Sequence, residues 1–291
     1  MEKKALFVVN PISGGNDKTE IKAAVENYAR EHGIALQSYQ TTGEDDEKAI
    51  VELYKRYKPE RIIVAGGDGT VKFTAETLGH EEVIIGFIAA GSANGLAVDL
   101  NFPNRLDEQI EIAFGNQTMD VDMICINDFK SLHLSDIGLN AEMIQKYENS
   151  TIRGKLGYAI QAFNTLTSSE APFRATITAN GKTIETEAKM IVMANSQKYG
   201  TGVTINPSGK RDDGIFEIVI LRTLDFSVFS KIVMGNIPFG TGDVEIIATD
   251  KAIITTDVPV HFQVDGEYCG EETKLDIKIM HRQMKLAIPP P

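Results

Sequence analysis

Four short apolar runs, Ala5 to Val9, Ile34 to Tyr39, Arg61 to Ala65 and Val83 to Ile88, alternate in the first part of the chain with polar segments carrying apolar residues at helical spacing. Ile21, Ala24, Val25 and Tyr28 make one such stripe, and Ala49, Ile50, Leu53 and Tyr57 another. Strand and helix in alternation predict parallel strands joined by crossover helices, so this part is expected to form a doubly wound α/β domain. From Met119 the pattern changes to short β-branched or alternating runs separated by turn residues, which predicts a mainly antiparallel β-sandwich domain. Phe173 to Ala179, Asn180-Gly181 and Lys182 to Glu187 read as a hairpin with a type I′ turn. Further strands are expected at Met190 to Ala194, Phe216 to Leu221, Ala252 to Thr256, Val260 to Val264 and Leu275 to Met280, and helices around Ile152 to Thr167 and Asp225 to Met234. Gly115-Asn116 breaks the helix pattern, which places the boundary there: residues 1–116 and 117–291, with the extreme C-terminus able to pack back on the first domain.

With 291 residues, 42% of them hydrophobic and 24% charged, the composition is that of a globular protein and excludes disorder, collagen and coiled coil. The longest apolar stretches, such as Ile84 to Ala90, fall far short of the roughly 20 residues that span a bilayer, so no transmembrane helix is expected. The apolar run after Met1 is too short for a signal peptide, and a cytosolic protein is expected. A net charge of −12 argues against nucleic acid and against purely electrostatic docking to anionic membranes. A local basic patch could still form from Arg153, Lys155, Lys198, Lys210 and Arg211. Cys125 and Cys269 stand alone, which suggests neither zinc nor a disulfide, and both are expected to be buried. His32, His80, His133, His261 and His281 show no ligand spacing.

The sharpest local feature is Gly66-Gly67-Asp68-Gly69-Thr70, directly after the third strand. Glycines at a strand end let backbone N–H groups approach an anion, and a following helix N-terminus favours negative charge, so the loop is a candidate phosphate cradle. Asp68 inside it suggests a Mg²⁺-nucleotide or a general base facing a hydroxyl; a turn in which Asp68 caps the helix is the plainer alternative. Asn10-Pro11-Ile12-Ser13-Gly14-Gly15 follows the first strand and Ala90-Gly91-Ser92-Ala93-Asn94-Gly95 the fourth. All three loops should therefore meet outside the carboxyl ends of the strands, where open α/β sheets bind ligands. No Walker lysine pattern and no G-x-G-x-x-G fingerprint is present.

Taken in order, Asn10-Pro11-x-Ser13-Gly14, Gly66 to Thr70, Gly91 to Ala97, Ile137-Gly138-Leu139-Asn140-Ala141, Asp213-Gly214 and Val264-Asp265-Gly266-Glu267 resemble one family. It is that of the lipid kinases built on a diacylglycerol kinase catalytic domain, with bacterial diacylglycerol, sphingosine and ceramide kinases among its members. The resemblance covers nearly the whole chain, and its glycine-rich signature is shared with NAD kinases and phosphofructokinases. It implies that Asn10, Ser13, Gly14, Gly66, Gly67, Asp68, Gly69, Thr70, Ser92 and Asn94 contact ATP, with Thr41, or Thr42 in its place, beside them. By the same resemblance Asp68 serves Mg²⁺-ATP and the acceptor hydroxyl, and Asp265 and Glu267 form an acidic pair, one of which accepts the proton. Lys210, Asp213 and Ile215 resemble a structural Mg²⁺ site in which only the aspartate binds through its side chain.

Gly95 stands where diacylglycerol kinases usually carry aspartate, and Glu142 falls where sphingosine kinases place an acid near the lipid amine. Lys72, where asparagine is common, is a second departure from the pattern. On the residues alone, Asp265-Gly266 and Asp213-Gly214 also read as turns, and Glu44 to Glu47 as the solvated first turn of a helix. The expected function is transfer of the γ-phosphoryl group of ATP to a lipid hydroxyl in a cleft between the domains, the lipid being reached by transient contact with a membrane surface. Phe129, Phe173 and Phe239 are candidates for that contact, and antiparallel strand edges allow a homodimer. A soluble-substrate kinase of the NAD kinase type and a non-catalytic nucleotide- or lipid-binding regulator are the rival readings.

Overall fold

A computed structural model describes residues 3–79, 81–139, 141–142, 171–199, 203–223 and 242–290. His80, Asn140, Arg153, Lys155, Phe239 and the helices expected around Ile152 to Thr167 and Asp225 to Met234 lie outside the described residues. The chain divides into two compact units, Met1–Val121 with Arg282–Pro291, and Asp122–His281.

The first unit runs β1 (Lys4–Val9), α1 (Thr19–Glu31), β2 (Ala35–Gln40), α2 (Asp46–Tyr57), β3 (Arg61–Gly66), α3 (Asp68–Leu78), β4 (Ile84–Ala89), α4 (Gly95–Asp99) and α5 (Leu106–Phe114). Its strands pair in parallel in the order β2-β1-β3-β4. Residues 5–9 and 62–66 are buried throughout, which is why β1 and β3 read as continuous apolar runs: helices cover both faces of a parallel sheet. Phe7, Val25, Ile63, Ile88 and Ile110 form the core between sheet and helices. Val9 pairs with Ala65 and Gly66 with Ala89, so the loops after β1, β3 and β4 leave the sheet at one edge.

The remaining strands are β5 (Thr118–Ile126), β6 (Phe129–Ser131), β7 (Leu134–Gly138), β8 (Phe173–Ala179), β9 (Lys182–Ala188), β10 (Met190–Ala194), β11 (Lys198–Tyr199), β12 (Val203–Thr204), β13 (Phe216–Leu221), β14 (Val244–Thr249), β15 (Lys251–Val264) and β16 (Glu267–Ala287). In the second unit β14-β13-β10-β7-β15 and β15-β8-β9 are antiparallel ladders. The β8–β9 turn has the expected type I′ character, with φ of 54° at Asn180 and 71° at Gly181.

Sequence predicts two strands where β15 is one. Its register breaks between Thr255 and Val260, at the stretch containing Pro259, which has no N–H to give a ladder. Before the break β15 pairs with β8 and after it with β7, so the irregularity lets one strand serve two leaves of the sandwich. The run expected at Leu275 to Met280 is part of the much longer β16. Its last turn of sequence belongs to the first unit, where Lys285 and Leu286 lie parallel to Ile84 and Ile85 of β4.

Several expectations of burial are corrected. Phe173, offered as a lipid contact, is a core residue beside Ile137 and Ile191. Arg211 is buried and cannot belong to a surface patch. Both cysteines are half-buried, each thiol turned to a nearby main-chain carbonyl, Asn127 for Cys125 and Glu267 for Cys269.

Candidate functional site

At the carboxyl edge of the parallel sheet the three glycine loops touch one another. Ser13 Oγ donates to the Ala90 carbonyl at 3.1 Å. A Cβ on Gly14, whose φ is +64°, would stand 2.6 Å from that same oxygen. A Cβ on Gly91 would stand 2.5 Å from Gly67 Cα, so the loops after β3 and β4 pack backbone on backbone, which only glycine permits. Gly66 is required for another reason: Thr70 Oγ1 fills the space where a side chain would be. Thr70 is itself buried and its hydroxyl accepts an N–H from the Asn10 amide at 3.2 Å, which ties the loop after β1 to the start of α3.

Asp68 opens α3 but its carboxylate serves another helix. It accepts the backbone N–H of Gly95 at 2.6 Å and of Leu96 at 3.0 Å, the first amides of α4, which no residue within that helix can accept. The amides of Asp68 and Gly69 lie at the equally orphaned first turn of α3. Asn94 shapes the turn before α4: it adopts φ 52°, and its amide side chain both accepts from Gly91 N–H at 2.8 Å and donates to the Gly91 carbonyl at 3.0 Å. Ser92 is exposed on the same loop.

A groove of about 590 Å³ opens beside these loops, lined by Asn10, Ile12, Thr41, Gly69, Thr70 and Phe73, among others. Its far wall is the turn between β2 and α2. There Asp46, which sequence places in a solvated acidic run, is buried and gathers four donors: Tyr39 OH at 2.6 Å, the Thr42 amide at 2.9 Å, the Thr42 hydroxyl at 3.2 Å and the Gly43 amide at 2.8 Å. Burial works to raise the Asp46 pKa, but the hydrogen bonds from Tyr39, Thr42 and Gly43 outweigh it and hold the carboxyl below its ordinary range. Burial and the adjoining carboxylate push the Tyr39 phenol up to about 12. Thr41 hangs on β1 through its amide, 2.9 Å from the Val9 carbonyl.

Within the second unit, Asp265 turns the chain from β15 into β16 with φ 51°, followed by Gly266 at 91°, so the turn reading is correct. Its carboxylate does more than close the turn. It accepts Ser131 Oγ–H at 2.9 Å and the amides of Leu132 at 2.9 Å, His133 at 2.9 Å and Leu134 at 3.3 Å. Gln263, also buried, accepts the Gly266 amide at 2.7 Å and donates to Asp136. Glu267 lies two residues on, exposed at the first position of β16. Thus the acidic pair divides into a carboxylate saturated with main-chain donors and one facing solvent.

Lys210 and Asp213 are exposed and Ile215 half-buried on the loop before β13. Asp213 Oδ1 accepts the Ile215 amide at 3.3 Å. The loop is anchored by Asp122, fully buried, whose amide donates to the Arg211 carbonyl at 2.7 Å and whose carboxylate accepts the Gly214 amide at 2.8 Å and meets His281 Nδ1 at 2.7 Å. Among the described residues no three His, Cys, Asp or Glu side chains converge as a metal cluster, so a cation on this loop would draw mainly on carbonyl oxygens. Glu142 is half-buried and helical.

Sequence reasoning missed Lys18, Tyr39, Asp46, Asp122, Asp136 and Gln263. The last three did carry a signal: each is a polar residue inside an otherwise apolar strand run, a pattern that in a core must be explained by hydrogen bonding.

The α/β unit and the β-sandwich agree with what the chain is similar to. Residues 4–126 match the family described as Diacylglycerol kinase catalytic domain, and residues 135–287 match the YegS C-terminal NAD kinase beta sandwich-like domain. The chain belongs to this family. A Salmonella newport member named "Probable lipid kinase YegS" is 24% identical, the match covering 98% of this chain and 96% of that one. An uncharacterized protein of Synechocystis sp. is 26% identical over 99% of this chain and 70% of its own. The crystal structure of a protein described as a diacylglycerol kinase from Bacillus anthracis superposes with a TM-score of 0.77 at 20% identity, covering 99% of this chain and 97% of that one, and so shares its fold. The family's α/β catalytic domain followed by a β-sandwich-like domain is the architecture found here, and among the described residues no helix is long and apolar enough to cross a membrane.

Proposed function

We propose that the chain is an ATP- and Mg²⁺-dependent lipid kinase that transfers the γ-phosphoryl group to a hydroxyl of a diacylglycerol or sphingoid base. The observation that carries this reading is the triple glycine contact at the carboxyl edge of the sheet, where Gly14, Gly67 and Gly91 bring main chain close enough to present amides to an anion. The adjoining groove offers room for the rest of a nucleotide. Phosphoryl transfer needs positioning and charge neutralisation more than covalent chemistry, and a bound Mg²⁺ would supply the neutralisation. Asp68 holds α4 in place beside the phosphate-bearing loops. Glu267, exposed and without the donors that saturate Asp265, is the carboxylate left to accept a hydroxyl proton. Asp213 would bind a structural Mg²⁺ through its side chain, with the carbonyls of Lys210 and Ile215, on the loop that Asp122 anchors. Phe129, exposed and edge-on to Phe262, offers an apolar contact for a lipid surface.

Radiolabelled ATP with diacylglycerol, sphingosine, dihydrosphingosine and ceramide in detergent micelles tests the reading. Label in one of these lipids is expected, and a sphingoid base would direct attention to Glu142 and Gly95. ATP bound without any lipid labelled overturns it, in favour of a soluble-substrate kinase if NAD takes the label and of a regulator if nothing does.

A further inference from the structure

Lys18, the residue before α1, is only 6% exposed. Its ammonium donates to the carbonyls of Ser13 at 2.7 Å and Asn16 at 2.9 Å. A buried ammonium is costly unless an anion meets it, yet among the described residues no carboxylate pairs with this one. The neighbouring Asp17 carboxylate is exposed and turned to Thr19, accepting its amide at 3.0 Å and its hydroxyl at 2.8 Å. Two neutral carbonyls satisfy hydrogen-bond donors without offsetting the positive charge, which among the described residues is met only by the attraction of the exposed Asp17 carboxylate.

The same two bonds orient that loop. Every described peptide bond is trans, and in a trans peptide the C=O and N–H point in opposite directions. Drawing the Ser13 carbonyl toward Lys18 therefore turns the Gly14 N–H to the other side of the loop. The next amide, of Gly15, is spent on the Ile12 carbonyl at 3.2 Å. A side chain at position 14 is excluded, since an added Cβ would stand 2.6 Å from the Ala90 carbonyl oxygen.

We infer that Lys18 is a positioning residue for the phosphates of the nucleotide: it aims the Gly14 N–H at the anion and supplies positive charge that makes the loop select a polyphosphate over an uncharged nucleoside. This deepens the kinase reading and rests on it.

The test uses the full chain without lipid, with calorimetric affinities for ATP and adenosine and a thermal melt for each variant. Lys18→Gln keeps an N–H donor for the carbonyls and removes the charge; Lys18→Arg keeps the charge. Lys18→Gln is expected to weaken ATP about tenfold or more, the scale of a hydrogen bond to a charged group, while adenosine changes less than about twofold. Lys18→Arg should retain the preference for ATP over adenosine, and serves alone if the glutamine variant does not fold. Equal weakening of ATP and adenosine, unchanged ATP affinity in Lys18→Gln, or loss of the ATP preference in a folded Lys18→Arg overturns the inference. Wild-type protein that binds no ATP overturns the nucleotide reading itself, and with it this one.

Discussion

The Asp68 carboxylate accepts the Gly95 amide at 2.6 Å, so the aspartate of the glycine-rich loop after β3 is spent on fixing the first turn of α4. Its second oxygen takes the Leu96 amide at 3.0 Å. Asparagine at 68 could accept only one of the two, and its NH₂ would face the other donor. Each hydrogen bond to a charged group is worth about 1.5–3 kcal/mol. Asp68→Asn should therefore lower the melting temperature and cut phosphoryl transfer by about 10²-fold or more, as losses of preorganised electrostatics do. A lipid-labelling rate equal to wild type in Asp68→Asn would sink the assignment.

Asp265 and Glu267 are expected to fail differently. Asparagine at 265 keeps one acceptor oxygen, so its NH₂ would face either the Leu132 amide, held by Oδ2, or the Ser131 hydroxyl and the amides of His133 and Leu134, held by Oδ1, at about 1–3 kcal/mol for a polar group left unpaired. Asp265→Asn should show as a lower melting temperature. Glu267, exposed at the start of β16, can lose its charge without cost to the fold. Glu267→Gln should melt as wild type does and lose about 10²–10⁴-fold in kcat, the usual share of a general base. Equal melting temperatures for the two variants would contradict the division of roles.

That division shows where sequence reading stops. The strands β1 and β3 were legible because parallel strands buried on both faces are nearly all apolar, and Asn180-Gly181 because few other dipeptides accept two consecutive positive φ values. The glycine loops were legible by composition and by their places after strands. Burial of single polar residues was not: Lys18 sits in Asn16-Asp17-Lys18 and Asp46 in an acidic run, and each is buried with its charged group turned to main chain of its own loop, Ser13 and Asn16 for Lys18, Thr42 and Gly43 for Asp46. Nor could β16 be seen at its full length, since eight of its 18 positions before the strand reaches β4 are polar and exposed. Phe173 misled for the opposite reason, as a strand-initial aromatic gives no sign of which face it will occupy.

The Tyr39–Asp46 contact predicts a pH dependence with two edges. Tyr39 titrates near ~10 in an unfolded chain and at about 12 in the folded one, so between those values the unfolded state has lost the proton and the folded state keeps it. Stability is therefore full below pH ~10 and falls as pH rises toward 12. Asp46 is held below its ordinary range, so its contribution is present above that range and is lost on acidification through the lowered value. Urea unfolding across pH should show both declines, and Tyr39→Phe should flatten the alkaline one while shrinking the neutral plateau. An unchanged alkaline slope in Tyr39→Phe would mean that another group carries it.

Gly91 and Gly69 separate fold from ligand. A Cβ on Gly91 would meet Gly67 Cα at 2.5 Å and the Asn94 side-chain Oδ1 at 2.7 Å. The Gly67 main chain cannot yield as a side chain could, so Gly91→Ala should destabilise by about 1–3 kcal/mol, the cost of overpacking, and lose ATP affinity as the loops part. A Cβ on Gly69 meets nothing within 4 Å, although Gly69 lines the groove. Gly69→Ala should therefore melt as wild type does, and a methyl group there touches only what enters the groove. A drop in ATP affinity in Gly69→Ala at unchanged melting temperature would place the nucleotide over that position. Unchanged ATP affinity in both variants would mean that the nucleotide does not use this edge of the sheet.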